Sequence, residues 1–394
     1  GFFDGLGRAL LSRTHSTFQL TLVLVGLCFF GSMFITNDVS LLTFVPFTFV
    51  VLSRLGADLR RSLLIPVVCM QTIAANLGSM LTPIGNPQNL YLYGKSGMSI
   101  GGFVLLMLPY TLVSLLLLLA WAALVCRKAS AALSVDELVS SSASQGDQKI
   151  ILLYLVLFAV CLLSVIRVLP YGIAFAAVLV CALFADSHTL RAVDYSLLLT
   201  FVAFFIFIGN LGRIPAFSGW LQEFLTGREV LVAVLASQVT SNVPAALLLS
   251  GFTAETQALI IGTNLGGLGT LIASMASLIS YRQIARELPH GKKQYFGLFT
   301  LSNLIFLAIL LGVPIGVLTA VFLAETAPKP LSKIVRPAIE LLAGIPSVIY
   351  GLLGILLLCP AMYKLEQKIF AGSATHQFTG GANLISAVLV LAIM

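Results

Sequence analysis

Charge is the scarcest commodity in this sequence. Asp, Glu, Lys and Arg together make up 9% of its 394 residues, against 59% hydrophobic residues and a mean hydropathy of +1.04. A water-soluble domain cannot be built from that mixture, because too little polar surface is available to face water. Histidine is also rare: His15, His188, His290 and His376 lie far apart, and none falls at metal-ligand or nucleophile–base spacing. The expectation is therefore no enzymatic chemistry and no cofactor. Six cysteines (Cys28, Cys69, Cys126, Cys161, Cys181, Cys359) are present without any Cys-x-x-Cys pair, which makes them packing residues rather than disulfide partners or metal ligands. No Walker A sequence occurs, and the apolar runs do not alternate with polar residues, which argues against an outer-membrane barrel.

What the sequence has instead is a series of apolar runs of about 17–25 residues separated by short polar loops, the pattern of an all-α polytopic membrane protein. Its net charge of +7 sits mostly in those loops, so the excess reports orientation in the membrane rather than a nucleic-acid partner. The expected surroundings are membrane lipid and the bacterial inner membrane. The chain opens at Gly1 in a polar stretch with Arg8 and Arg13, and closes inside the short apolar run Leu384–Met394. Both ends read as cut from something longer.

The first apolar block, Phe18 to Leu52, is about 35 residues long and would overrun a bilayer as one helix at about 1.5 Å per residue. It is interrupted at Thr36-Asn37-Asp38, and both flanks are basic, which predicts a re-entrant hairpin with its tip at those residues; two ordinary spans joined there would carry the same charges. A helix over Leu63 to Met80 then breaks in the stretch Ala75 to Asn89, which contains Asn76, Asn86, Asn89, Pro83, Pro87, Gly78 and Gly85. Phe103 to Cys126 is an uninterrupted span, and Arg127 to Lys149 is a Ser-rich cytoplasmic linker. Further spans are predicted near Ile150–Val168, Tyr171–Ala185 and Ser196–Gly209, with an amphipathic interfacial segment at Ile214–Phe224. Val230 to Ser250 is broken at Thr240-Ser241-Asn242, and Ala258 to Ser280 is broken by glycines.

These breaks recur. At an offset of 188, Asn76-Leu77-Gly78 falls on Asn264-Leu265-Gly266, Thr82 on Thr270, Gly85 on Ala273 and Asn86 on Ser274. At an offset of 205, Ser32, Thr36 and Asn37 fall on Ser237, Ser241 and Asn242. Arginines flank the first hairpin, whereas the second sits between Glu223/Arg228 and Glu255 with no basic excess, so the two enter from opposite sides, which predicts an inverted repeat with its site at the midplane. Unwound backbone at membrane depth is tolerated where it lines a cavity. Asn and Ser/Thr oxygens with free carbonyls suit a bare cation, and helix N-termini suit an anion. Taken singly, each Asn or Ser could equally be interhelical hydrogen-bonding glue.

Asp38 is the sharpest single residue. An ionisable group within a membrane hairpin is by default functional. A carboxylate beside an anion needs an intervening proton or cation, so Asp38 is expected to couple transport to Na⁺ or H⁺; the plainer alternative is a helix N-cap.

At these motifs, together with Thr82-Pro83-Ile84-Gly85-Asn86-Pro87-Gln88-Asn89, Ser241-Asn242-Val243-Pro244 and Gly266-Gly267-Leu268-Gly269-Thr270, the chain resembles the ion transporter superfamily over about residues 1–312. That group includes arsenite permeases, citrate and dicarboxylate carriers and one kind of sodium/proton antiporter. The resemblance implies an inverted-repeat secondary transporter, with one Na⁺ site using Ser32, Asn37 and Gly85 and a second using Ser237, Asn242 and Ala273. The further candidate substrate- or ion-binding residues are Thr36, Asp38, Thr82, Asn86, Pro87, Ser241, Thr270 and Ser274, and a homodimer is expected. Where dicarboxylate members carry a substrate-contacting threonine, this chain has Asp38 and Val243, which moves the implied reading toward arsenite-permease-like or antiporter-like behaviour.

Past Gly312 the run Glu340-Leu341-Leu342-Ala343-Gly344-Ile345-Pro346-Ser347-Val348-Ile349-Tyr350-Gly351 resembles the permease subunit of phosphate ABC importers. Its ATPase-docking loop is missing, so residues 313–394 read as a partial permease-like transmembrane segment. ATPase and binding-protein partners would follow only if that resemblance governs function. The expected organisation is repeat 1 over 1–126, linker 127–149, repeat 2 over 150–312 and the permease-like segment beyond. Tyr295 to Ala324, about 30 apolar residues at the join, is too long for one span and too short for two.

Overall fold

The computed structural model describes residues 14, 16–128, 148–185, 190, 195–321 and 359–369. Most of the linker, the Glu340–Gly351 run, and Arg8, Arg13, His15, His188, His376 and Leu384–Met394 lie outside them. The described residues are helical and include no strand: α1 (Thr17–Ile35), α2 (Asn37–Ser53), α3 (Ala57–Gly78), α4 (Pro87–Ser96), α5 (Ile100–Lys128), α6 (Gln148–Val165), α7 (Tyr171–Ala185), α8 (Tyr195–Leu211), α9 (Pro215–Leu225), α10 (Glu229–Thr240), α11 (Asn242–Leu249), α12 (Thr256–Leu265), α13 (Met275–Glu287), α14 (Lys292–Val321) and α15 (Cys359–Ile369). Among the described residues, four stretches are long and apolar enough to cross a membrane: Thr17–Ile35, Ala57–Leu81, Ile100–Arg127 and Pro289–Gly312. The chain is an all-α, multi-pass membrane protein.

Burial follows from that setting. In lipid, a helix is free to leave large apolar side chains outside, and Phe30, Phe34, Leu42, Leu105, Leu116 and Leu124 are all exposed. The buried interior is correspondingly rich in polar groups. Ser32, Asn37, Gln71, Asn76, Asn89, Asn264 and Ser277 are all at most 4% exposed, and they surround the helix breaks. α3 is buried along nearly all of its apolar length and packs against α1, α2 and α5, so it is the central strut of the first half. In the second half, α10 packs on α11 and α12.

The breaks fall where the residue pattern placed them. α1 and α2 are separated by Thr36 alone, and α10 and α11 by Ser241 alone. α3 runs into a single 3₁₀ turn, Ser79–Leu81, and then unwinds until α4 begins at Pro87, whose missing N–H costs nothing at a first helical position. α12 ends at Leu265, and the chain stays irregular until α13 begins at Met275. α9 leaves Trp220 and Phe224 exposed and stacked, 5.6 Å between ring centroids, while Leu221 and Leu225 are buried. The Tyr295–Ala324 run forms, as far as it is described, one 30-residue helix, α14, continuous through Gly312.

The chain divides into two compact units, Gly1–Leu304 and Ile305–Met394. The first holds every helix break discussed above. Among the described residues of the second are the later turns of α14 and the whole of α15.

Candidate functional site

Both hairpin tips are strained in the same way. Thr36 has φ 67° and ψ 156°, and Ser241 has φ 76° and ψ 154°. This region is nearly exclusive to glycine and costs of order 1–3 kcal/mol for any other residue. A β-branched threonine held there means that the surrounding contacts over-determine the turn. Those contacts are visible: Asn37 N–H donates to the Gly85 carbonyl at 3.2 Å, and Asn242 N–H donates to the Ala273 carbonyl at 2.9 Å. Each tip is thus tied to the unwound loop of its own repeat, through the pair of residues that the offset aligned.

Further equivalent bonds reinforce the arrangement. Thr82 Oγ1 donates to Met33 O at 2.5 Å, and Thr270 Oγ1 donates to Gln238 O at 3.1 Å. Gly78 lies so close to α1 that a Cβ there would meet Ser32 Oγ at 2.8 Å; at Gly266 a Cβ would meet Ser237 Oγ at 2.6 Å. Only glycine lets the broken helix ends approach the hairpin arms this closely. Ser32 and Ser237 donate to carbonyls of their own helices, those of Phe29 and Ala233, at 2.9 and 2.7 Å.

The repeats also exchange partners. Asn76 of the first half accepts from Ser274 Oγ at 3.0 Å and donates to Ser277 Oγ at 3.5 Å. Asn264 of the second half accepts from Asn86 Nδ2 at 3.4 Å and donates to Asn89 Oδ1 at 2.6 Å. Asn37 Nδ2 joins this network through Asn76 Oδ1 at 3.0 Å. The five asparagines of this network are therefore interhelical glue, and Asn37 and Asn86 among them are candidate ligands as well.

Around this knot lies a cavity of about 240 Å³, lined by Asn37, Asp38, Pro87, Gln88, Thr200, Thr240, Ser241, Asn242, Val243, Pro244, Ser274 and Met275. Asn37, Pro87, Asn242 and Met275 are the first residues of α2, α4, α11 and α13. Four helix N-termini converge on one space. None of their N-cap residues (Thr36, Asn86, Ser241, Ser274) caps its helix with its side chain, whereas Ser16 does cap α1. Each N-terminus carries roughly half a positive charge, so the cavity favours an anion, even though the Asn37 and Asn242 N–H groups are spent on the loops and the Asp38 N–H on Asn37 Oδ1.

Of the residues singled out from the sequence, Asn37, Asp38, Pro87, Ser241, Asn242 and Ser274 line the cavity. Thr36, Thr82, Gly85, Asn86, Thr270 and Ala273 form the turns and loops behind it. Ser32 and Ser237 sit deeper, against the ends of α3 and α12. Asp38 is the second residue of α2, and the N-cap position belongs to Thr36, so the capping alternative for Asp38 does not hold. Asp38 N–H is taken by Asn37 Oδ1 at 2.9 Å, and Asp38 Oδ1 is buried with no hydrogen-bond partner.

Two residues escaped the reading by repeat. Gln88 lines the cavity, and its equivalent, Ala276, has no polar group. Gln238, equivalent to Met33, threads its amide into the second loop: Nε2 donates to Gly266 O at 3.0 Å and Leu268 O at 2.8 Å, while Oε1 accepts from Thr270 N–H at 2.9 Å. The symmetry of the two halves marks only positions that match, and Gln88 and Gln238 break it.

Comparison with known proteins bears on the same segment. A family described as "Citrate transporter" (CitMHS) matches residues 1–258. The chain is 34% identical to "Inner membrane protein YbiR" of Escherichia coli over 293 residues, covering 72% of this chain and 74% of that protein. It is 31% identical to "Uncharacterized transporter MJ0456" of Methanocaldococcus jannaschii over 281 residues, covering 71% of this chain and 74% of that one. A C-terminal part is 39% identical over 98 residues to "Phosphate transport system permease protein PstC" of Mesorhizobium japonicum, covering 22% of this chain but only 30% of the permease.

Proposed function

The chain belongs to the citrate transporter family, and from that premise we propose that it is an ion-coupled secondary transporter moving a small anion across the bacterial inner membrane. The observation that carries the proposal is the convergence of α2, α4, α11 and α13, N-termini first, on one cavity built from two repeats. A membrane protein that gathers four uncapped helix N-termini has made an anion site from backbone alone. The repeats act as an inverted pair, and alternating access is a rocking of the elements around that fixed site.

Asp38 is the natural seat of coupling. It adds a carboxylate to a space otherwise favourable to anions, so a substrate anion enters most readily when Na⁺ or H⁺ accompanies it to that oxygen. Na⁺ would be held by oxygens near Ser32, Asn37 and Gly85 in one repeat and near Ser237, Asn242 and Ala273 in the other. The assembly is a homodimer in lipid, and the cargo is citrate-like or arsenite-like in size. The test is uptake of labelled citrate and of arsenite by proteoliposomes under imposed Na⁺ or pH gradients. Uptake that collapses with an ionophore and ignores ATP supports the reading; uptake indifferent to both gradients would sink it.

The likeness to PstC favours a second reading, that of a permease subunit in a phosphate ABC importer. It would need an ATPase and a binding protein. Phosphate uptake that stops on ATP depletion while the ion gradients stand would establish it.

A further inference from the structure

Gln88 is the second residue of α4, is 1% exposed and lines the anion cavity. Neither its Nε2 nor its Oε1 has a hydrogen-bond partner, and among the buried side chains of the described residues no other amide has both ends open. Gln71, by contrast, spends its Nε2 on Leu24 O and Thr48 Oγ1, at 3.0 and 2.8 Å. A dry amide costs of order 1–3 kcal/mol for each group left unpaired, so a folded chain keeps one where something else completes it.

The chemistry of the open atoms limits what that something is. Nε2 asks for an acceptor, Oε1 asks for a donor, and Asp38 Oδ1 in the same cavity asks for a donor as well. An ionised carboxylate only accepts. It can satisfy Nε2 and the helix N–H groups, but it leaves Oε1 bare and meets Asp38 as a like charge. A hydroxyl both donates and accepts, and so is the smallest group able to complete this corner. The opposite repeat offers nothing comparable, because the equivalents of Asp38 and Gln88 are Val243 and Ala276, with Pro244 and Met275 beside them in the lining or the chain. The second half does bring polar residues to the lining, but Thr240, Ser241 and Ser274 direct their hydroxyls to Ala236 O, Ala273 O and Asn76 Oδ1, so the open hydrogen-bonding groups gather at Asp38 and Gln88.

We propose that Gln88 reads a hydroxyl group on the transported anion and so discriminates between anions that carry one and matched anions that do not. This rests on the anion-transport reading above. The carboxylate is directed to the helix N-termini and the hydroxyl to Gln88 and Asp38. A coupling ion at Asp38 leaves the demand of Gln88 unchanged, since its amide is neutral. Where a buried site is built to bond a hydroxyl, an analogue lacking it is rejected because the site's polar groups are stranded.

The test uses the full chain in proteoliposomes at one fixed pH with matched pairs: malate against succinate, and citrate against tricarballylate, each competing for uptake. The wild-type chain is expected to favour the hydroxylated member of each pair by about tenfold or more. Gln88→Ala, which copies the residue of the other repeat, is expected to bring that ratio below about threefold. The ratio is taken within one preparation, so a poorly folded variant lowers both uptakes and leaves it intact. Gln88→Met, closer in volume, is expected to behave as Gln88→Ala does. Wild-type uptake of both members without preference overturns the inference and leaves the transport reading standing, and so does an unchanged ratio in both variants. Failure of every carboxylate to move overturns the organic-anion reading and this inference with it.

Discussion

Asn76 and Asn264 hold the two halves together by a mutual exchange: each bonds side chains at the end of the loop, and the start of the helix, that follow its partner. Asn76 reaches Ser274 and Ser277; Asn264 reaches Asn86 and Asn89. All six residues are at most 3% exposed. Removing Asn76 strands the hydroxyl of Ser274 and the Nδ2 of Asn37, and removing Asn264 strands the Oδ1 of Asn89, while Asn86 Nδ2 keeps Ser79 Oγ at 2.7 Å. Double-mutant cycles over Asn76/Ser274 and Asn86/Asn264, read by unfolding in detergent, are expected to give coupling energies of about 0.6–1.7 kcal/mol, between the average and the maximum for polar pairs between membrane helices. Near-zero coupling in both cycles would mean that the exchange is incidental to stability.

The strained tips make a separate prediction. Thr36→Gly and Ser241→Gly relieve a backbone conformation costing of order 1–3 kcal/mol, against an entropic loss of about 0.5–1 kcal/mol for the added freedom of glycine. Each is expected to raise the melting temperature slightly or leave it unchanged, while Thr36→Ala, which keeps a Cβ, brings no such relief. Transport is expected to fall in the glycine variants, because a relaxed tip no longer fixes where the N-termini of α2 and α11 point. A glycine variant with a lower melting temperature than its alanine counterpart would contradict the strain.

Much of this architecture is legible in the sequence. The breaks at Thr36, Ser241 and after Gly78 could be read because polar and Gly/Pro residues are conspicuous in an apolar chain. The aligned pairs Gly85/Ala273 and Thr82/Thr270 could be read because both halves solve the same backbone problem. What could not be read was the swap, since nothing at Asn76 says that Ser274 rather than Asn86 will be its partner. Gln88 and Gln238 were hidden for another reason. Their equivalents are Ala276 and Met33, and residues that differ between repeats look like noise until they are seen facing a cavity or filling a loop.

Asp38 allows the coupling to be separated from binding. Asp38→Asn keeps the size of the side chain and removes its charge, so it retains the cavity while deleting the seat proposed for the ion. Uptake is expected to persist at a reduced rate in Asp38→Asn and to lose its dependence on the Na⁺ or pH gradient, measured as the ratio of uptake with and without the imposed gradient. If that ratio matched the wild-type chain, coupling would have to lie elsewhere. Asp38→Glu, which restores the charge on a longer arm, is expected to recover part of the dependence.

The last prediction turns on a position where the repeats are not interchangeable. Gly85 and Ala273 have the same task, offering a carbonyl to the hairpin tip, yet only one of them carries a methyl group. At Gly85 a Cβ would run into the backbone of Ser79, because the 3₁₀ turn Ser79–Leu81 pulls the first loop tight beneath it. The second loop, after Leu265, contains no such turn and has room for the methyl. Backbone cannot step aside as a flexible side chain can, so Gly85→Ala forces the loop outward and draws the Gly85 carbonyl away from Asn37. The expected cost is about 1–3 kcal/mol, typical of overpacking a buried site, with loss of transport. Ala273→Gly deletes only a methyl group from a fully buried position and is expected to cost about 1 kcal/mol, with transport retained. Measuring melting temperature and uptake for both variants decides the matter, since equal effects would show that the tightness of the first loop is not what keeps glycine at position 85.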